Sequence, residues 1–187
     1  RRHTRLRTVT GVQTCALPIS TDHRLRREVA VKRLIRKGAA ASERFVAEAQ
    51  ITAQLEHPNI VPVHDAGITD GVPWMAMKRI RGRSLADWLS SRPPMTERIG
   101  VLQKVCDGMA YAHSRGILHR DLKPDNVMVG DFGEVLVMDW GLARRIQRGN
   151  ASVDDVRADR FDTGAFATRE GQIAGTPAFM SPEQAEG

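Results

Sequence analysis

The sequence predicts an α+β fold in two parts, a small β-rich unit with one helix followed by a mainly helical unit. Three observations carry this expectation. Period-two alternation and short extended runs surround one helix-period segment before Gly82. Helical spacing dominates from Ser84 to Gly116. The 187 residues, 41% hydrophobic and 27% charged, have the composition of a soluble globular chain rather than a disordered, collagenous or membrane-spanning one.

Residues 1–20 show neither period, carry four Arg and no acid, and hold Pro18 between apolar neighbours, so no element is assigned to them. Glu28-Val29-Ala30-Val31-Lys32-Arg33-Leu34 alternates as a strand does. Ser42 is placed to cap a helix running to about Leu55, with Phe45, Ala49, Thr52 and Leu55 at the helical period and His57-Pro58 as its stop. Glu43 would then lie in the first turn, where a carboxylate favours the helix dipole. Ile60 to Asp65 and Trp74 to Ile80 read as short extended pieces. Beyond Gly82, Ser84 caps a short helix from Leu85 to Leu89. Ile99, Leu102, Val105 or Cys106, Met109 and Ala112 then form the stripe of a longer helix closed by Gly116. Val127-Met128-Val129 and Val135-Leu136-Val137-Met138 flank Gly130-Asp131-Phe132-Gly133 as a hairpin. Residues 144–175, rich in Arg, Asp, Gly and Thr, read as a long mobile loop.

The formal charge of +6 is unevenly spread: residues 1–37 hold 11 Lys/Arg against 2 Asp/Glu, and the remaining 150 residues are net −3. A nucleic-acid-binding role, which a basic chain invites, is therefore poorly supported, and no nucleic-acid partner is expected. Cys15 and Cys106 show neither CxxC nor Cys/His ligand spacing, so neither a disulfide framework nor a structural zinc site is indicated, and a reducing, cytoplasmic setting fits. No apolar run approaches the roughly 20 residues that cross a bilayer.

The informative stretch is His119-Arg120-Asp121-Leu122-Lys123-Pro124-Asp125-Asn126, followed 13 residues after Asn126 by Asp139-Trp140-Gly141. With Val29-Ala30-Val31-Lys32 before it and Ser181-Pro182-Glu183 after it, four ordered motifs resemble those of protein kinases. The segment Gly175-Thr176-Pro177-Ala178-Phe179-Met180-Ser181-Pro182-Glu183-Gln184-Ala185 is most similar to bacterial eukaryotic-type (Hanks-type) serine/threonine kinases, and the resemblance covers about residues 28–187. It implies a two-lobed protein-kinase-like fold, with a β-rich N-lobe containing one helix and a mainly helical C-lobe, truncated at both ends. The implied divisions are 1–20 as a non-native or unstructured segment, 21–81 as a partial N-lobe and 82–187 as a partial C-lobe.

Phosphoryl transfer needs cations on the phosphates, a divalent metal bridging their oxygens and a carboxylate that orients the attacking hydroxyl. The resemblance gives Lys32 the α/β-phosphates of ATP, where the alternative is a solvated surface Lys. Glu48, 16 residues on and inside the helix, would hold Lys32, unless it is a solvated helix-face residue. Asp121 would orient the substrate hydroxyl. Lys123 would neutralise the γ-phosphate and points to a Ser/Thr enzyme. Asn126 and Asp139 would hold Mg²⁺ (or Mn²⁺), where the alternative is a turn-forming Asn and Asp. Thr176 would brace Asp121 and Lys123. Met77 looks like the residue behind the adenine and Lys78 to Ile80 like the hinge that meets the base, although a core Met would read identically. His119 is expected to be a packed residue beneath Trp140. Arg120 could pair with a phosphorylated loop residue, for which Thr163 and Thr168 are preferred over Ser152, with a homodimer as the arrangement for autophosphorylation.

Three departures stand out. Trp140 replaces the usual Phe and Ser181 the usual Ala. A G-x-G-x-x-G loop is expected shortly before Lys32, yet residues 1–28 hold one glycine, Gly11, and Thr10 to Ile19 resembles translated sequencing-adapter read-through. The third is the end of the chain soon after Glu183, whose expected Arg partner is missing. The expected activity is transfer of the ATP γ-phosphate to Ser/Thr hydroxyls of protein substrates, in a parent protein that could be membrane-anchored. The alternative is a pseudokinase or ATP-binding signalling scaffold.

Overall fold

The computed structural model of the chain describes residues 19–35, 38–146 and 174–186. The first sheet is four-stranded and antiparallel, in the order β1-β2-β4-β3: β1 is Ile19–Asp22, β2 Arg27–Arg33, β3 Val63–Thr69 and β4 Val72–Lys78. Ile19 pairs with Ala30 and Ser20 with Val29, so regular structure begins two residues inside the segment expected to be unstructured. The reason is the ladder itself, because β2 has backbone groups facing β1 that need partners. Asp70 and Gly71, at φ 52° and 73°, make the two-residue turn between β3 and β4, as expected of an Asp-Gly hairpin.

Strand alternation decides what faces the helix. Val29 and Val31 cluster with Ala76 on one face of the sheet. Ala30 and Lys32 oppose Met77 and Met75 on the other. Helix α1 (Ala39–Gln54) packs Phe45 and Ala49 onto Met75 and Met77, so its inner face meets the face that carries Lys32. It starts one turn earlier than Ser42, with Gly38 at the N-cap and no side-chain cap, because Ala39 to Ala41 are strong helix formers. Glu43 consequently falls outside the first turn.

The chain leaves the first sheet at Lys78 and joins a second at Gly82, where β5 (Gly82–Ser84), β7 (Val127–Gly130) and β8 (Val135–Val137) lie in the order β5-β7-β8. A Cβ at Gly82 would stand 2.2 Å from the Val129 carbonyl, and its φ is 153°. Ser84 caps α2 (Leu85–Ser90) by accepting from the Asp87 N–H at 3.1 Å. Helix α3 (Met95–Ser114) buries Val105, Gly108, Met109 and Ala112, whereas Ile99 and Leu102 are 49% and 60% exposed and Cys106 is exposed. The expected stripe is thus buried only over its second half, where α3 meets β8 and β6 (Ile117–Leu118). Within the expected loop of 144–175, β9 (Arg144–Arg145) pairs with β6. The chain closes on α4 (Pro182–Glu186).

One core cluster runs through both parts, joining Ile51, Leu55 and Ile60 to Val105, Met109, Ala112, Ile117, Val127, Val137 and Trp140. The linkage is also polar: Val137 N–H donates to Asn59 O at 2.8 Å, and Asn59 Nδ2 donates to Val135 O at 3.0 Å. No helix among the described residues is long and apolar enough to cross a membrane.

Candidate active site

The cleft between the two sheets gathers residues from five stretches of sequence. Lys32 Nζ donates to Glu48 Oε1 at 2.6 Å and to Asp139 Oδ1 at 2.8 Å. Burial pulls the Lys32 ammonium down, but the charges of Glu48 and Asp139 outweigh it, so Lys32 titrates above its ordinary value. Burial pushes Glu48 up, and the charge of Lys32 only partly offsets this. The pair therefore holds Lys32 charged and fixed at the cleft wall.

Asp121 lies opposite. Its Oδ1 accepts from Thr176 Oγ1 at 2.6 Å, and its Oδ2 receives Lys123 Nζ at 3.2 Å and Asn126 Nδ2 at 3.1 Å. Lys123 also donates to Thr176 Oγ1 at 2.8 Å, closing a ring of Asp121, Lys123 and Thr176. Burial alone would raise the Asp121 carboxyl. The hydrogen bonds from Thr176 and Lys123, the Lys123 charge and the Asn126 amide prevail and hold it below its ordinary value. The carboxylate is thus ionised at neutral pH and aimed by three donors.

Local structure explains these positions. Asn126 ends a 3-10 turn over Pro124–Asn126, and its carbonyl takes the Met138 N–H at 2.8 Å, which seats Asp139 beside it. Asp139 and Arg120 adopt left-handed backbone, at φ 57° and 64°. Asp tolerates this conformation, whereas at Arg120 the surroundings must hold it. Arg120 Nε donates to Leu142 O at 2.7 Å.

His119 is 1% exposed and stacks at a tilt on Trp140, with ring centroids 4.7 Å apart. Its Nδ1 accepts the Asp121 N–H and its Nε2 donates to Met138 O. Burial holds the imidazole below its ordinary pKa. A neutral ring that spends both nitrogens on backbone braces the two aspartate-bearing loop segments against each other. Trp140 is fully buried in the cluster that holds Ile51 of α1 and Leu55 just past its end, and its Nε1 has no hydrogen-bond partner among the described residues.

A cavity of about 600 Å³ opens between the sheets, lined by Ile19, Ala30, Val61, Met77, Met128 and Met138 and by Lys78 to Gly82. Sequence reasoning named Met77 and Ile80 of this wall but missed Ile19, Met128 and Met138. For the last two, adjacency to Asn126 and Asp139 was the available signal. Among the described residues no three His, Cys, Asp or Glu side chains cluster as a metal site. A glycine-free turn over residues 23–26 joins β1 to β2, and Gly11, Thr163, Thr168 and Ser152 lie outside the described residues. Glu183 is exposed, at the start of α4.

Residues 18–186 match the model of the protein kinase domain family. The chain is 36% identical over 177 residues to a probable serine/threonine-protein kinase, CE0033, of Corynebacterium efficiens, covering 90% of this chain and 25% of that protein. It is 35% identical over 187 residues to the serine/threonine-protein kinase PknD of Chlamydia trachomatis serovar D, covering 88% and 20%. With the probable serine/threonine-protein kinase PknB of Corynebacterium glutamicum the identity is 36% over 177 residues, covering 90% and 25%. The chain spans a fifth to a quarter of the length of these curated relatives.

Proposed function

The chain belongs to the protein kinase domain family, and from that membership we propose that it carries a serine/threonine kinase centre that transfers the γ-phosphoryl group of Mg-ATP to protein hydroxyls. One observation carries the reading: an ionised Asp121 held by Thr176, Lys123 and Asn126, facing a Lys32 fixed by Glu48 and Asp139. Asp121 accepts the hydrogen bond of the acceptor hydroxyl and aligns its lone pair. Positioning outweighs proton abstraction, because a carboxylate held below its ordinary pKa is a weak base. Lys123 lies where charge gathers on the transferred group, and Lys32 neutralises the α/β-phosphates. The adenine would sit in the apolar cavity with Met77 at its back, and the backbone of Lys78 to Ile80 would meet its polar edge.

The donor set suits a hard divalent cation. Asn126 spends its Nδ2 on Asp121, which leaves Oδ1 as its acceptor, and Asp139 gives one carboxylate oxygen to Lys32 and keeps the other. Two protein oxygens are what Mg²⁺, or Mn²⁺, takes when phosphate and water complete its shell. Such a metal supplies charge neutralisation on the phosphate oxygens. The names of the relatives support Ser/Thr acceptors. A cytoplasmic setting, autophosphorylation within a homodimer and switching through Thr163 or Thr168 belong to the same reading, as does the absence of a nucleic-acid partner. The test is incubation of the chain with γ-labelled ATP, Mg²⁺ and a protein acceptor. Label in phosphoserine or phosphothreonine is expected, whereas ATP binding without transfer identifies a nucleotide-binding scaffold instead.

A further inference from the structure

Ser181-Pro182-Glu183-Gln184 has the sequence of a capping box, with proline at the first helical position. Ser181 Oγ accepts the Gln184 N–H at 3.3 Å, as such a cap requires. The Gln184 side chain does not return to the cap, however. Its Nε2 donates to the carbonyl of Arg120 and to that of Ala174. A primary amide has two N–H donors, and both acceptors are backbone carbonyls, which also fixes the orientation of the amide.

These carbonyls flank the bond between Asp121 and Thr176. Arg120 immediately precedes Asp121 and is held in left-handed backbone, and Ala174 lies two residues before Thr176. Between them Gly175 permits the approach. Its φ is 133°, and a Cβ there would stand 2.6 Å from the Arg120 carbonyl and 2.5 Å from Gln184 Nε2.

We propose that Gln184 is a positioning residue, a two-pronged backbone clamp that fastens the segment 174–176 to the catalytic loop and thereby sets the Thr176 hydroxyl on Asp121. The Ser that replaces Ala at position 181 is part of the device, since its cap orients Gln184. The kinetic consequence rests on the kinase reading; the structural consequence does not.

The test compares the whole chain with Gln184→Glu, which keeps length and shape but offers two carbonyls a carboxylate without donors, and with Gln184→Met, which keeps length and apolar packing. Two lost hydrogen bonds correspond to an increase of about tenfold in amide exchange for the peptide spanning 174–180 in both variants, with the peptide spanning 19–33 unchanged. In transfer assays kcat falls by about tenfold or more while KM for ATP stays within about twofold, because the clamp acts on the acceptor side of the cleft. Wild-type exchange over 174–180 in either variant, or a fall in ATP affinity with kcat unchanged, overturns the clamp. A wild-type chain that transfers nothing overturns the kinase reading, and exchange still decides the clamp.

Discussion

Asp121 and Glu48 are both carboxylates, yet their surroundings push them in opposite directions. Asp121 is held ionised by Thr176 and Lys123, so its favourable contribution is present above the unfolded value near ~3.9 and is lost as pH falls through the lower folded value. In urea unfolding, the wild type should lose stability more steeply than Asp121→Asn as pH falls below about 4. Equal slopes would show that Thr176 and Lys123 do not hold Asp121 ionised in the folded chain. Glu48 holds Lys32 through a charge-assisted bond, and Glu48→Gln should raise KM for ATP by roughly tenfold or more, read from initial rates. The spacing of Asp121, Asn126 and Asp139 made this part of the site legible in the sequence. Ile19 and Gln184 were not legible, because they act through strand register and through two backbone carbonyls, neither of which leaves a side-chain pattern.

At the scale of elements, local chemistry was readable where a side chain caps its own helix. Ser84 accepts from Asp87 N–H and donates to Asp87 Oδ2 at 2.7 Å. Ser84→Ala should destabilise the chain by about 1 kcal/mol in urea unfolding. Ser42, by contrast, is not the cap of α1, because three alanines extend the helix beyond it. Half of the α3 stripe failed for another reason: periodicity says which residues share a face, but only tertiary neighbours bury that face. The Asp70-Gly71 turn could have been found from its dipeptide and would have placed the ends of β3 and β4. At Gly82 the β5–β7 approach leaves no room for a side chain. Gly82→Ala should therefore cost about 1–3 kcal/mol, measured in the same way.

The described residues are arranged around a cleft between the two sheets. The first sheet brings Lys32 and the cavity wall, α1 brings Glu48, and the second sheet and its loops bring Asp121, Asn126 and Asp139 from the other side. The shared core through Leu55, Ile60 and Trp140 holds the two sides at working distance. On the proposed function, Asp121 aligns the acceptor hydroxyl for phosphoryl transfer. The most direct test of this claim is single-turnover transfer from γ-labelled ATP by the wild type and by Asp121→Asn at matched ATP occupancy. The expected result is a fall of about a hundredfold or more in the variant, with ATP affinity within about twofold of the wild type. Transfer at the wild-type rate by Asp121→Asn would contradict the claim.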